Sequence, residues 1–303
     1  MLNTSAKSET LKLNFFSYLK ALFNLMKPRV MSLVIFTCVV GLLIAPTKVN
    51  FLNAIFSILA VALGSGAAGA LNMWYEADLD SVMSRPCLRP IPTGKVTKNQ
   101  ALIFGILASI ISVVVLYSFS NLVASFMLAT TILFYVFIYT IWLKRKTPQN
   151  IVIGGAAGAL PPIIGWAIAT GDIALQPIIL FLIIFIWTPS HFWALSLYKT
   201  DDYRKANIPM LPVISGVKTT KINIFVYATL LFPIVLAPFF LEYFGLIYLI
   251  FSGILSFYYV FICFRLLKAN EPRLEKQIAK QVFGFSIFYL FMIFTSILID
   301  RII

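Results

Sequence analysis

The sequence has little charge, few cysteines and a single histidine. Charged residues make up 12% of its 303 residues, about half the share of a typical soluble domain. Its three cysteines, Cys38, Cys87 and Cys263, form no CxxC pair, which argues against a disulfide framework and against a zinc site. The low charge and high apolar content exclude both a soluble globular enzyme and an intrinsically disordered chain.

Hydrophobic residues are abundant instead. They make up 60% of the chain, and the mean hydropathy is +0.94, enough for about nine apolar spans of about 20 residues each. The apolar runs are long and continuous, without the alternation of a membrane β-barrel. We therefore predict an all-α polytopic membrane protein with nine transmembrane helices, embedded in a lipid bilayer. The predicted spans cover roughly residues 30–46, 52–76, 101–119, 122–143, 150–170, 174–198, 222–241, 244–264 and 281–299.

The net charge of +13 is distributed unevenly between the connections. Of the 24 Lys and Arg residues, 22 lie before the first span or in alternate connections, and only Lys48 and Arg301 lie on the other side. Basic residues between spans set topology, so we expect no nucleic-acid partner. The positive-inside rule predicts a cytoplasmic N-terminal segment over residues 1–29, a membrane domain over residues 30–303 and an external C-terminus.

The N-terminal segment does not look like a targeting signal. It has no short apolar region with a small-residue cleavage site, and its Glu9 and its lack of arginine before Arg29 fit a mitochondrial transit peptide poorly. We therefore expect a bacterial cytoplasmic (inner) membrane. Residues 11–26 mix Lys with Phe, Leu and Tyr, which predicts a helix lying on the inner membrane surface; a frayed tail is the alternative.

Acidic residues cluster at the cytoplasmic end of the second span. Asn72, Glu76 and Asp80 are spaced i, i+4, i+8 and would share one helix face, whereas Asp78 would point away. The sequence places no compensating charge between these acids, so such a face favours a hard cation. Magnesium prefers oxygen ligands and is usually completed by substrate phosphates. The alternative is an acidic helix end that faces water.

A second acidic cluster, Asp201 and Asp202, follows the sixth span. His191, Leu195, Tyr198 and Asp202 are spaced i, i+4, i+7, i+11, which predicts one helix face. The lone histidine is either a structural hydrogen-bond partner or a ligand contact. Basic residues follow each cluster, and they either grip phosphate oxygens or only set topology. They are Arg85 and Arg89 after the first cluster, and Arg204 and Lys205 after the second.

Together these features point to a hydrophobic substrate with a diphosphate head. The head would lie on Mg²⁺ at the inner surface and the tail between the helices, while metal and basic residues stabilise the leaving diphosphate. The small-residue runs at 64–70 and 154–158 would let helices or a ligand approach the backbone closely. Aromatic faces would shelter a cationic carbon. The candidates are Trp74, Tyr75, Phe192, Trp193 and Tyr198.

The two acidic clusters resemble the paired acidic motifs of the UbiA intramembrane prenyltransferases. Longer stretches are similar to the heme-modifying branch of that family, and the resemblance covers about residues 25–300. These stretches are Lys27-Pro-Arg29, Asn72-Met-Trp-Tyr-Glu-Ala-Asp-Leu-Asp80, Arg89-Pro-Ile-Pro-Thr-Gly94, His191-Phe-Trp-Ala-Leu195, Asp201-Asp-Tyr-Arg-Lys-Ala206 and Ile208-Pro-Met-Leu-Pro212. The chain departs from the family at Glu76, where Asp is usual, and at Pro86 and Cys87, where more polar residues are usual.

The resemblance implies a nine-helix fold and Mg²⁺-dependent transfer of a farnesyl group from farnesyl diphosphate to a vinyl group of heme B, giving heme O on the route to heme A. It also implies contact with other membrane proteins of that route. The implied catalytic residues are Asn72, Glu76, Asp80, Tyr198 and Asp202, of which Asn72, Glu76, Asp80 and Asp202 hold the metal. The implied substrate-binding residues are Lys27, Arg29, Arg85, Arg89, His191, Asp201, Arg204 and Lys205.

Two alternatives remain. One is a related prenyltransferase that acts on an aromatic quinone precursor, which the acidic clusters alone do not distinguish. The stretch from His191 to Pro212 favours heme through the resemblance. The other is a transporter, which predicts ionisable residues near the bilayer midplane. The interiors of most spans carry no charge and the acids lie at one surface, which disfavours it.

Overall fold

The computed structural model describes residues 14–84 and 86–302 and contains no strand among them. Membrane-length helices dominate, and short helices lie in the connections. The first half contains α1 (Phe15–Leu25), α2 (Pro28–Leu43), α3 (Phe51–Tyr75), α4 (Ala77–Val82), α5 (Lys98–Phe119), α6 (Leu122–Leu133) and a π-helix (Phe134–Leu143). The second half contains α7 (Asn150–Ala159), α8 (Pro161–Thr170), α9 (Leu175–Tyr198), α10 (Thr200–Lys205), α11 (Leu211–Ile214), α12 (Gly216–Phe240), α13 (Leu246–Lys268) and α14 (Pro272–Ile302).

The predicted all-α polytopic fold is confirmed. Within the described residues, eight helices or helix pairs are long and apolar enough to cross a membrane, and α1 with α2 supplies a ninth as a pair bent by 56°. The π-helix continues α6 as one span, and α7 with α8 forms another. Polar side chains begin several of these helices because they satisfy free backbone N–H groups. Asn50, Thr97 and Asn121 are the caps of α3, α5 and α6.

Helix α1 occupies most of the described part of the predicted N-terminal segment. It buries Ala21 and Leu25 against the bundle and exposes Phe15, Phe16 and Phe23. An exposed aromatic face on a helix that bends into a span is typical of a helix in the membrane interface. Over residues 15–25, the predicted helix therefore describes the chain better than a frayed tail does. Residues 1–13 lie outside the described residues.

Close helix approach depends on glycine at the contact between α2 and α8. A Cβ at Gly41 would overlap the carbonyl oxygen of Pro162, and a Cβ at Gly165 would overlap that of Cys38. The helix is interrupted between α7 and α8, where Pro161 begins the second helix. Pro161 therefore divides this span into two helices, and the backbone of Gly158 faces open space near the division.

Two apolar clusters form the core on either side of α2 and α8. One joins α9 to α12, α13 and α14, and the other joins α3 to α5 and α6. The ends of α3, the π-helix and α9 lie on the side of the molecule that carries α4 and α10. This arrangement brings the two acidic motifs toward each other although 118 residues separate Ser84 from Asp202, which form a hydrogen bond.

Candidate active site

The first acidic motif spans the corner between α3 and α4 and keeps the hydrogen-bond spacing of a helix across it. Helix α3 ends at Tyr75, yet the Glu76 amide donates to the Asn72 carbonyl at 3.0 Å and the Asp80 amide donates to that of Glu76 at 2.8 Å. Asn72, Glu76 and Asp80 therefore share a buried face, each at most 3% exposed, while the side chain of Asp78 is 54% exposed. This is the arrangement that the i, i+4, i+8 spacing predicts.

The expectation that these side chains lack compensating charge is wrong. Lys27 donates to Asn72 Oδ1 at 2.5 Å, Lys144 Nζ lies 2.5 Å from Glu76 Oε1, and Arg89 donates to Asp80 Oδ1 at 2.6 Å. Arg89 comes from the connection that follows the motif, whereas Lys27 and Lys144 come from segments distant in sequence, so the spacing within the motif does not reveal these pairs. The site is a mixed cluster in which each member of the acidic motif has a cationic neighbour.

Burial and charge act against each other in this cluster. Burial alone would raise the pKa of the Glu76 carboxyl, but Lys144 and Lys27 outweigh it and hold that pKa below its usual value. Burial dominates at Asp80, so its pKa is raised despite Arg89. Among the described residues, oxygen Oδ2 of Asp80 has no hydrogen-bond partner although it is buried, so it is an oxygen that a cation could use.

The π-helix positions two polar groups that the sequence analysis did not assign to the site. Asn72 donates to Thr140 Oγ1 at 3.1 Å, and Lys144 follows directly after the last π turn, with its amide bonded to the Tyr139 carbonyl. Long π-helices are rare and mark functional sites. In the sequence, Lys144 counts among the basic residues that set topology. Its position at the end of a span, like that of the acids, is the sequence feature that could have assigned it to the site.

Asp78 forms a separate contact on the outer side of the corner. Arg145 donates to both of its carboxylate oxygens at 2.9 and 3.0 Å and lies 5.0 Å from the centre of the Tyr75 ring. Burial works to raise the pKa of Asp78, but hydrogen bonds from Arg145 and from the backbone, together with the charge of Arg145, outweigh it and lower that pKa. This pair braces the corner from outside.

The two aspartates of the second acidic motif have different surroundings. Ser84 donates to Asp202 Oδ2 at 2.7 Å, and Lys199 lies 3.3 Å from the same oxygen. The hydrogen bond from Ser84 is the main reason that the pKa of Asp202 is lowered. Asp201 pairs with Arg204 at the surface, with side chains 82% and 65% exposed.

The structure does not bring every predicted residue to the buried cluster. Arg29 and Lys205, like Asp201 and Arg204, are exposed. Arg85 lies outside the described residues. Tyr198 packs edge-on against Phe283 of α14. His191 also contacts Phe283, so the predicted stripe holds over these two residues, and Asp202 departs from it because α9 ends at Tyr198.

An apolar cavity begins at Lys27 and runs between α2, α3, α6 and the α7–α8 break. Its wall is almost entirely apolar or glycine, and Gly64, Gly69 and Gly158 of the predicted small-residue runs contribute to it. Tyr135 of the π-helix also lines it. Two of the aromatic residues expected to shelter a cationic carbon have other contacts: Trp193 is buried against Tyr227, and the Arg145 guanidinium lies over the Tyr75 ring. Tyr135 is better placed to shelter such a carbon because it lines the cavity.

The donor set fits a magnesium ion that a substrate completes. The motif offers carboxylate and amide oxygens, and Asp80 Oδ2 is buried and unpaired. The described residues contain no group of three or more His, Cys, Asp or Glu close enough to hold a metal alone. Magnesium commonly uses one or two carboxylates together with substrate phosphates and water, so this smaller donor set suits it.

Comparisons with known proteins agree with this architecture. Residues 34–292 match the UbiA prenyltransferase family. The chain is 59% identical over 304 residues to the protoheme IX farnesyltransferase of Pelagibacter ubique, with all of both chains covered. It is 49% identical to that of Parvibaculum lavamentivorans, covering 92% of this chain and 88% of the relative.

Solved structures share the fold at low sequence identity. A digeranylgeranylglyceryl phosphate synthase superposes with a TM-score of 0.75 at 20% identity, covering 92% of this chain and 98% of that one. A UbiA homologue from Archaeoglobus fulgidus bound to GPP and Mg²⁺ superposes with a TM-score of 0.67 at 14% identity, covering 93% and 99%. By its full-length relatives, its matched residues and its fold, the chain belongs to the UbiA prenyltransferase family.

Proposed function

We propose that this protein transfers a farnesyl group from farnesyl diphosphate to a vinyl group of heme B, giving heme O, a step in heme A biosynthesis. The observation that carries the proposal is the continuity between the charged cluster at Asn72, Glu76 and Asp80 and the apolar cavity that begins at Lys27. An isoprenoid diphosphate has the same two parts, a highly charged head and an apolar tail. The names of the full-length relatives support heme as the acceptor.

In this proposal the head binds where acids and cations already alternate. Lys27, Arg89 and Lys144 supply positive charge beside the acidic motif, and we place the diphosphate oxygens on them, together with Arg85. Arginine suits this role because its planar guanidinium binds phosphate oxygens bidentately. Arg89 and Lys144 can exchange their carboxylate partners for the substrate, and Lys27 can exchange the amide oxygen of Asn72. Each cation therefore keeps a polar partner before and after binding.

We assign the metal to Asn72, Glu76, Asp80 and Asp202, directly or through water. A bound Mg²⁺ supplies Lewis-acid stabilisation of the departing diphosphate. The Archaeoglobus fulgidus homologue of the same family is bound to GPP and Mg²⁺, which supports this assignment. Asp80 Oδ2 is the protein atom most clearly available for it. We include Tyr198 among the catalytic residues because it lies at the end of α9 between His191 and Asp202.

The remaining residues bind and shield the reacting carbon. The cavity wall excludes water from the tail, and Tyr135 offers its ring face to positive charge that develops on the allylic carbon. We place the exposed residues Arg29, Asp201, Arg204 and Lys205 at the rim, where they meet the charged parts of incoming substrates. His191 is the residue that we assign to heme.

We also propose that the site faces the cytoplasm and that the protein lies in the bacterial inner membrane. The charged cluster lies on the side of the connections that carry 22 of the 24 Lys and Arg residues. Farnesyl diphosphate would then reach the site from the cytoplasmic side. Other membrane proteins of the heme A route would receive the product.

The test is a product assay on the purified protein in lipid. Farnesyl diphosphate and Mg²⁺ are supplied with heme B and, in parallel, with 4-hydroxybenzoate, and products are identified by mass. A heme that gains a hydroxyethylfarnesyl group supports the proposal, and chelation of Mg²⁺ should abolish it. A prenylated benzoate instead would overturn the acceptor, and no product from folded protein would overturn the activity.

A further inference from the structure

The imidazole ring of His191 is held on both faces and along one edge. The ring of Trp187 stacks on it at 4.3 Å between centres and 17° between planes. Phe283 of α14 covers it at 4.7 Å and 22°. At the edge, Nδ1 lies 2.6 Å from Ser286 Oγ. Phe192 also lies edge-on to the ring, at 5.1 Å between centres. The ring therefore has one fixed orientation, and among the described residues its one polar atom without a partner is Nε2.

The hydrogen bonds of Ser286 determine which nitrogen carries the proton. The Ser286 hydroxyl has one hydrogen and two neighbouring acceptors, the Phe283 carbonyl oxygen at 2.7 Å and His191 Nδ1 at 2.6 Å. We assign that hydrogen to the carbonyl, which can only accept, so the hydroxyl oxygen accepts from His191 and Nδ1 carries the N–H. No carboxylate contacts the ring among the described residues, and a charged imidazole there would lack compensation. The neutral ring leaves Nε2 with a free lone pair.

Nothing in the described part of the chain hydrogen-bonds to Nε2, and His191 keeps 7% of its surface exposed. The surrounding contacts keep the atom in place. Trp187 is itself fixed, because its Nε1 donates to the Ser286 backbone carbonyl at 2.9 Å. One serine thus orients the histidine through its side chain and the stacking tryptophan through its backbone, tying α9 to α14.

We propose that Ser286 is a positioning residue that presents Nε2 of His191 as the axial ligand to the iron of the heme substrate. The inference rests on the proposed function, which supplies the heme. A neutral histidine whose second nitrogen is fixed by a hydrogen bond is the usual form of a metal-binding histidine, and histidine is a common axial ligand of heme iron. Ligation would hold the porphyrin in one orientation while a vinyl group meets the farnesyl carbon.

The experiment measures ferric heme B binding to the purified full-length protein in lipid nanodiscs, by absorption and electron paramagnetic resonance. The wild type is expected to give a histidine-ligated spectrum. His191→Ala should lose it, and added imidazole should restore it. Ser286→Ala should weaken heme affinity about 10- to 100-fold, the usual effect of removing the partner of a metal-bound histidine, whereas Ser286→Thr keeps a hydroxyl and should restore binding.

Ser256→Ala is the matched control. It removes another buried hydroxyl contact, that with Tyr289 at 2.8 Å, without touching His191, and its heme spectrum should equal the wild type. A wild-type spectrum in His191→Ala would overturn the ligation. Loss in His191→Ala with no change in Ser286→Ala would overturn the positioning role, and an equal loss in Ser256→Ala would show that the effect is general destabilisation and overturn it as well.

The product assay on the same samples separates this inference from the proposed function. Heme farnesylation by a wild type whose spectrum does not depend on His191 would overturn ligation alone. Heme bound through His191 without farnesylation by the wild type would support ligation and overturn the proposed function.

Discussion

Lys144 and Glu76 form a buried ion pair, with Nζ of the lysine 2.5 Å from Oε1 of the glutamate. Their side chains are 17% and 4% exposed. The pair joins the end of the π-helix to the corner after α3, so it connects the two elements that frame the charged cluster. Burial works against the charge on each partner. The charge and hydrogen bond of Lys144, together with Lys27 and Arg89, outweigh it and lower the pKa of Glu76, and the charge and hydrogen bond of Glu76, with smaller contributions from Tyr135 and Tyr203, raise the pKa of Lys144.

Breaking this pair from one side should destabilise the protein. Lys144→Met leaves the Glu76 charge buried and uncompensated, which is expected to cost about 3 kcal/mol. Thermal unfolding in detergent would measure the loss. Adding Glu76→Gln to Lys144→Met should recover much of the stability, because it removes the orphaned charge. Strictly additive losses in the double variant would contradict a direct pair.

The carboxylates assigned to the metal should be necessary for turnover. Asp80→Asn and Asp202→Asn keep size and polarity but remove charge, and each should lower Mg²⁺-dependent activity by about 100-fold or more, the usual scale for losing one preorganised electrostatic contact. Asp172→Asn is the control, because that exposed side chain lies in the connection between α8 and α9 and asparagine keeps an oxygen for the Ile173 amide. Near-normal activity in both test variants would refute the site assignment.

The hydrogen bond from Ser84 to Asp202 should hold the connection after α4 against α10. Ser84→Ala removes a net stabilisation of about 1 kcal/mol, which corresponds to about a fivefold rise in local opening. Amide hydrogen exchange of residues 83–97 would report it. Ser81→Ala serves for comparison, because Ser81 bonds only to the nearby Asp78 carbonyl. Equal exchange in both variants would mean that the Ser84 contact does not restrain the connection.

Filling the cavity at Gly158 should discriminate between prenyl chains. A Cβ there meets nothing within 4 Å, and leucine favours a helix over glycine by about 1 kcal/mol, so Gly158→Leu should fold. Crowding the space should cost the tail about 1–3 kcal/mol and raise the KM for farnesyl diphosphate about tenfold or more. The shorter geranyl diphosphate should be less affected.

Gly253→Leu provides the control for that substitution. Gly253 also faces open space in a helix, α13, but does not line the cavity. Its kinetics should match the wild type for both substrates. If Gly158→Leu leaves the KM for farnesyl diphosphate unchanged, the tail lies elsewhere.

The helical membrane fold, and the shared helix face of the residues in the first acidic motif, can be predicted from the sequence alone. Both follow from local rules: about 20 apolar residues span a bilayer, and residues four apart share a helix face. Hence the spans, and the common helix face of Asn72, Glu76 and Asp80, were predictable without a structure. The family resemblance added the chemistry.

Which charged side chains contact each other at the site depends on tertiary packing. Lys27, Arg89 and Lys144 reach the acidic motif from three different connections, and Asp202 reaches Ser84 across 118 residues. The break between α7 and α8 and the turns of the π-helix set the cavity and the position of Lys144. Such contacts depend on how distant helices pack, which periodicity along one helix does not encode. The sequence therefore indicated acids that need a cation, and packing showed that the protein already supplies cations of its own.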